Sequence, residues 1–131
     1  MILFKPELQK RKISLVKEIP GDLKLTADFN LISQIIINLI KNAIESIQHD
    51  KGKLKIEAFR KDPGYLNIAL QDNGNGIQKE EKEKIFLPFY TTKENGSGIG
   101  LSLARQIMRL HKGNISVVSE YGRGSRFTLQ F

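Results

Sequence analysis

Asn38 and Asn42 stand four residues apart in a stretch that is otherwise nearly all apolar, and Glu45 follows seven residues after Asn38. At helical spacing the three share one face. A buried carboxamide needs a hydrogen-bond partner, and two readings are open. Both amides bond to backbone, or Asn42 offers its oxygen to a hard cation such as magnesium, whose shell phosphate oxygens and water would complete. Asp72-Asn73-Gly74-Asn75-Gly76 is the second candidate. It reads as a plain tight turn, or as an acceptor facing a ligand that lies flat against glycine backbone. A carboxylate only accepts hydrogen bonds. It would therefore favour the exocyclic amine of adenine over the oxygen that guanine carries there. The third is Gly96-Ser97-Gly98-Ile99-Gly100-Leu101, at the start of a helical pattern. It is a hinge or cap, or a phosphate site built on the free N–H groups of a helix N-terminus. It is not a Walker loop, and it does not match GxGxxG after a strand.

Ahead of that loop lies Phe86-Leu87-Pro88-Phe89-Tyr90-Thr91-Thr92-Lys93. The aromatic residues are suited to anchor a flexible segment, and Lys93 to reach a phosphate. His49 and His111 are each isolated, so metal ligation is not expected of them. His111 follows a helical pattern and reads as a cap or a packed residue.

These residues need elements to hold them. Leu31, Ile32, Ile35, Ile36, Leu39, Ile40, Ala43, Ile44 and Ile47 recur at steps of three and four after Asp28, which predicts a long helix ending near Gly52. Residues 12–19 read as a strand closed by Pro20-Gly21, with Leu23 and Leu25 in a short second strand. Residues 53–60 and 65–71 alternate on either side of Asp62-Pro63-Gly64 and predict a hairpin that ends on Asp72. A short helix is expected from Gln78 to Ile85, a mobile loop over 86–98 and a helix over 100–110. Two last strands, 115–119 and 125–131, flank Glu120-Tyr121-Gly122-Arg123-Gly124. The sum is about three helices on one face of a sheet. Strands that come in hairpins argue against a Rossmann sheet.

With 131 residues, 40% apolar and 27% charged, the chain has the size and composition of one globular domain. It has no cysteine, which excludes disulfide scaffolds, thiolate metal sites and cysteine nucleophiles. No apolar run approaches the roughly 18 residues of a membrane span, and the N-terminus lacks the order of a secretory signal. The net charge of +7 is spread along the chain without interleaved aromatics, so nucleic acid is not an expected partner. It suits solubility, an anionic ligand such as a nucleotide, or an acidic partner.

Taken in order, the motifs resemble the ATP-binding catalytic domain of two-component sensor histidine kinases. NLIKNAIESI resembles that family's asparagine box, DNGNGI its first glycine box, IFLPFYTTK its phenylalanine box and GSGIGLSLA its second glycine box; GRGSRFTL matches its closing glycine segment. The resemblance runs from about residue 8 to the end. It implies an α/β sandwich, of the α+β kind, with helices on one face of a mixed, mostly antiparallel five-stranded sheet and a flexible ATP lid. It implies that Asn42 holds Mg2+, that Asp72 binds the adenine amine beside Gly74, Gly76 and Ile77, and that Asn38, the catalytic position, lies near the phosphates. Gly96, Ser97, Gly98, Gly100 and Leu101 would border the phosphates. Thr92 and Lys93 fit the FTTK lid, with Tyr90 in place of its leading Phe.

The resemblance further implies a cytoplasmic kinase that uses Mg-ATP and passes phosphate to a histidine on a helical dimerisation domain, and from there to a response regulator. The parent would be homodimeric and membrane-associated, the isolated chain monomeric. Neither His49-Asp50 nor His111-Lys112 has the helical context of the phosphoacceptor, so the acceptor hairpin is expected outside this chain. Rival readings are a clamp-type ATPase, a serine kinase of the same superfamily and a non-enzymatic nucleotide-sensing scaffold. The clamp ATPases carry a glutamate base where this chain has Asn38.

Overall fold

The structure, a computed structural model, describes residues 4–21, 27–61, 64–88 and 100–131. Among these residues the chain forms three helices and five strands. In order they are α1 (Lys5–Lys10), β1 (Ser14–Glu18), α2 (Phe29–Ser46), β2 (Lys53–Lys61), β3 (Tyr65–Asp72), α3 (Gly100–Leu110), β4 (Asn114–Glu120) and β5 (Gly124–Gln130). The strands form one sheet in the order β1-β2-β3-β5-β4. β1 and β2 run parallel, and the other pairs are antiparallel. The parallel pair needs a crossover, which α2 supplies.

The expected hairpin is present, and its alternation decides what faces the helices. Ile56 pairs with Leu70 and Ala58 with Ile68, while Leu70 and Ile68 pair with Phe127 and Leu129. Ile56, Leu70, Phe127 and Leu129 meet Ile32, Ile35, Leu39, Ile40 and Ile44 of α2 and Ala104, Ile107 and Met108 of α3 in one core, with Ile68 packed against it. Isoleucine is a modest helix former. Burial of α2 must therefore drive it, each buried Ile or Leu contributing about 1.5–3 kcal/mol. The other sheet face stays polar. Lys55 sits 3.5 Å from Glu18 and 3.8 Å from Glu57, and Arg126 reaches across β3 to pair with Glu57.

α2 starts where Asp28 accepts from the Leu31 N–H at 3.1 Å. Its end differs from expectation. The helix stops at Ser46, not near Gly52, because Ile47 leaves the helical conformation to bury itself in the core. Arg11, just after α1, caps this end by donating to the Ile44 carbonyl at 3.2 Å. α1 itself, with one buried residue, Leu8, is too short to announce itself by periodicity.

The expected helix from Gln78 to Ile85 is instead a run of turns, joined by Glu81 N–H to Gln78 O at 2.9 Å and Lys84 N–H to Glu81 O at 2.9 Å. Its sequence, dense in charge, offers too little apolar surface to hold a helix against the core. The predicted strand at Leu23 and Leu25 lies outside the described residues, as does most of the expected lid. No helix among the described residues is long and apolar enough to cross a membrane.

Candidate functional site

Asp72 is the last residue of β3, the central strand, paired on one side with Leu54 and on the other with Ser125. This anchorage from both sides gives its side chain a rigid base. It is 7% exposed. Its Oδ1 accepts from the Gly74 N–H at 2.8 Å and from the Ser46 hydroxyl at 3.2 Å. The turn that follows is bound to α2 as well, since the Asn75 N–H donates to the Ser46 carbonyl at 2.9 Å. The two glycines of this turn have different jobs. At Gly74 a methyl group would overlap Ser46, so only glycine lets the turn lie against α2. Gly76 has φ +71°, the left-handed region that glycine adopts without strain. Ile77 then packs on the core and donates its N–H to Ser119 Oγ at 2.8 Å.

The other end of the site is where α2 meets the start of α3. A Cβ on Gly100 would sit 2.5 Å from Asn38 Oδ1 and 2.6 Å from Nδ2. The Asn38 carboxamide therefore lies directly against the first residue of α3. Its Nδ2 is buried and has no hydrogen-bond partner among the described residues. An orphaned buried donor is costly, and this one stands at a helix N-terminus, where N–H groups and the helix dipole favour an anion. Asn42 lies one turn further along α2, half-buried, and Ser46 one turn beyond it. The α2 face carrying Asn38, Asn42 and Ser46 thus runs about 12 Å from the α3 N-terminus to Asp72. Leu101 packs against the core and seats the α3 end.

The structure therefore brings together Asn38, Asn42, Asp72, Gly74, Gly76, Ile77, Gly100 and Leu101. Thr92, Lys93, Gly96, Ser97 and Gly98 lie outside the described residues. Sequence reasoning missed Ser46 and Ser119. Ser46 had a detectable signal, as the residue four after Asn42 on the same face. Ser119 had none. It is joined to Ser125 at 2.8 Å and to the Gly124 carbonyl at 3.0 Å through strand pairing alone.

Both histidines are structural. His49 accepts from the Lys51 N–H on Nδ1 at 3.1 Å, so its Nε2 donates to the Asn73 carbonyl at 2.9 Å. His111 accepts from the Asp28 N–H on Nε2 at 3.1 Å and donates from Nδ1 to the Ile107 carbonyl at 2.8 Å. The expected cap role of His111 is thus borne out. Among the described residues no three His, Cys, Asp or Glu side chains converge on a metal position.

Burial pushes the Asp72 carboxyl above its ordinary value, and the Gly74 N–H, the Ser46 hydroxyl and the Ser125 N–H pull it back only in part. The folded protein thus holds this proton more tightly than the unfolded chain. The stabilisation is full below the unfolded value, about 3.9, and is lost as pH rises through the raised folded value. Ionised Asp72 therefore costs stability at neutral pH. Asp72→Asn should unfold at a higher temperature than the parent at neutral pH, and the gap should close in acid. Thermal unfolding at both pH values checks this; a less stable variant at neutral pH would contradict it.

The profile of the histidine kinase-, DNA gyrase B- and HSP90-like ATPases matches residues 27–131. The chain is 34% identical over 130 residues to the signal transduction histidine-protein kinase AtoS of Escherichia coli strain K12, covering 98% of this chain and 21% of AtoS. Its fold matches the nucleotide-free catalytic domain of histidine kinase ThkA with a TM-score of 0.87 and 34% identity, covering 99% of this chain and 86% of that domain. It also matches ThkA in complex with the response regulator protein TrrA, with a TM-score of 0.82 and 33% identity over 99% of this chain and 37% of that one.

Proposed function

Because the chain belongs to the family of histidine kinase-, DNA gyrase B- and HSP90-like ATPases, we propose that it binds Mg-ATP and donates the γ-phosphoryl group to a histidine on a separate helical dimerisation domain, in two-component signalling. The chain spans about a fifth of AtoS, so the acceptor histidine, the dimer contacts and the response regulator belong to this proposal. ThkA, which it resembles in fold, has been seen with a response regulator. A cytoplasmic position follows from the need for ATP.

One observation supports the reading above the others. The Asn38 Nδ2 at the α3 N-terminus, without a partner among the described residues, and the buried Asp72 acceptor lie at opposite ends of one face of α2. That arrangement offers a donor and a helix N-terminus to phosphates, and a fixed acceptor to a base. Asp72 binds the adenine amine, with Gly74, Gly76 and Ile77 forming the floor beneath the base. Asn38 donates to phosphate oxygen and completes its own hydrogen bonding by doing so. Gly100 and Leu101 hold the α3 N-terminus at the phosphates, and Thr92, Lys93, Gly96, Ser97 and Gly98 contribute to nucleotide binding.

The donor set fits magnesium in the manner of a cation carried by its nucleotide. Asn42 offers one carboxamide oxygen, with no cage of carboxylates among the described residues. When bound, the ion neutralises phosphate charge. In the transfer itself an imidazole nitrogen of the acceptor attacks the γ-phosphorus. The N–P bond forms, the bond to the β–γ bridging oxygen breaks, ADP departs and the imidazole loses its N–H proton. Asn38 has no carboxylate with which to activate water, so hydrolysis should be slow.

The test is an ATP titration by calorimetry with and without magnesium, on the parent and on Asn42→Ala. ATP should bind the parent more tightly with magnesium, and the variant should lose most of that gain while keeping its metal-free affinity. An equal gain in both proteins removes Asn42 from the metal site. No ATP binding in either condition sinks the proposed function.

A further inference from the structure

We propose that Ser46 is a positioning residue for base recognition: its hydroxyl holds one oxygen of Asp72 so that the other is presented to the amine of adenine. The inference rests on the reading of Asp72 as the base acceptor and adds a second residue to it.

A carboxylate at the end of a strand can rotate about χ2, and a base amine reads it only in one orientation. Three donors act on it here: the Gly74 N–H at 2.8 Å and the Ser46 hydroxyl at 3.2 Å, both on Oδ1, and the Ser125 N–H of the neighbouring strand. Oδ2 receives neither of the first two. The Gly74 N–H comes from the same turn as Asp72 and moves with it. The Ser125 N–H belongs to β5, while Ser46 comes from α2, 26 residues away, and is the one of the three that ties the carboxylate to the wall carrying Asn38 and Asn42. Its carbonyl holds the turn a second time, through the Asn75 N–H at 2.9 Å. The side chain thus controls the acceptor, while the main chain controls the floor of the site.

The hydroxyl has a competing partner. It lies 2.9 Å from the Ala43 carbonyl, the ordinary helical partner of a serine. A hydroxyl has one hydrogen to give. Only the fraction turned toward Asp72 orients the carboxylate, and a ligand that uses Oδ2 favours that fraction. Removing the hydroxyl leaves the Ser46 carbonyl and the helix in place, so the floor should survive while the acceptor loosens.

The prediction separates orientation from structure by comparing two nucleotides on each protein. ATP carries the exocyclic amine, and purine riboside triphosphate is the same molecule without it. Affinities for both, with magnesium, are measured by calorimetry on the parent, Ser46→Ala, Ser46→Thr and Asp72→Ala. The parent should prefer ATP by about ten- to a hundred-fold. Ser46→Ala should cut that preference about tenfold by weakening ATP alone, with the amine-free analogue bound as by the parent. Ser46→Thr, which keeps the hydroxyl, should restore the preference.

Equal weakening of both nucleotides by Ser46→Ala would make Ser46 a structural residue and overturn the proposal, and so would an unchanged preference. If Asp72→Ala leaves the preference for ATP intact, the reading of Asp72 falls and this one falls with it. That result is distinguishable, because it shows in the Asp72 variant itself. Should Ser46→Ala fail to fold, Ser46→Cys carries the same comparison, since a thiol fills the space and donates only weakly.

Discussion

Asp72→Ala should bind ATP ten- to a hundred-fold more weakly than the parent protein and should lose most of its discrimination against GTP. The reason is the chemistry of the acceptor. An ionised carboxylate cannot donate, so at this position it would accept from the amine of adenine and oppose the carbonyl oxygen of guanine. A hydrogen bond to a charged group is worth about 1.5–3 kcal/mol, which is one to two orders of magnitude in affinity. The surroundings sharpen the effect. Asp72 is almost fully buried and held by Gly74 and Ser46, so water competes weakly for it. The fold should persist in the variant, because burying this carboxylate works against stability. Calorimetry with ATP, ADP and GTP checks the expectation. Equal affinity of the parent for ATP and GTP would remove Asp72 from base recognition altogether.

The second large effect is an all-or-none difference in labelling. Given radiolabelled ATP and magnesium, the chain alone should bind nucleotide and remain unlabelled. Mixed with a histidine-bearing helical hairpin from a kinase of which it forms part, it should label that hairpin. The product should be acid-labile and base-stable, as a phosphoramidate is. The chain holds two histidines, and both ring nitrogens of each are engaged with backbone. Neither offers a lone pair to an incoming phosphorus without breaking a structural bond. His111 also lies beyond the C-terminal end of α3, about 16 Å from Gly100 along the helix, and His49 lies beside the turn that carries Asp72. Phosphoryl transfer depends mainly on positioning and charge stabilisation, and neither residue is placed in line with a phosphate bound at the α3 N-terminus. Strong labelling of the chain alone, on His49, His111 or a hydroxyl, would show that a nucleophile lies within this domain and would overturn the proposed division of labour.

Much of this was legible from residue order because it is local. The three- and four-residue steps of α2 and the alternation of β2 and β3 are each decided by neighbours within a turn or two. Asp72 could be placed at a strand end, and Asn38 with Asn42 on one helix face, by the same local rules. The sequence motifs carried the family likeness for the same reason: each box is a contiguous stretch.

The structure decided what depends on residues that meet across the fold. Periodicity extends α2 through Ile47, but the core takes Ile47 out of the helix and leaves Ser46 as its last residue, with a carbonyl for Asn75 and a hydroxyl for Asp72. The segment from Gln78 to Ile85 has helix-forming residues and no apolar stripe to dock, so tertiary burial, which most short helices require, is missing and turns result. The closeness of Asn38 to Gly100 joins two helices 62 positions apart, and no spacing rule relates them. It follows from the packing of α2 and α3 on one sheet face, with glycine leaving the space that the carboxamide fills. The sequence by itself determined which side chains were available for chemistry and which local face or strand end carried them. Their convergence, and the unsatisfied amide that marks one end of the site, came only from the three-dimensional packing, because burial and long-range hydrogen bonding act on distance in space and not on separation along the chain.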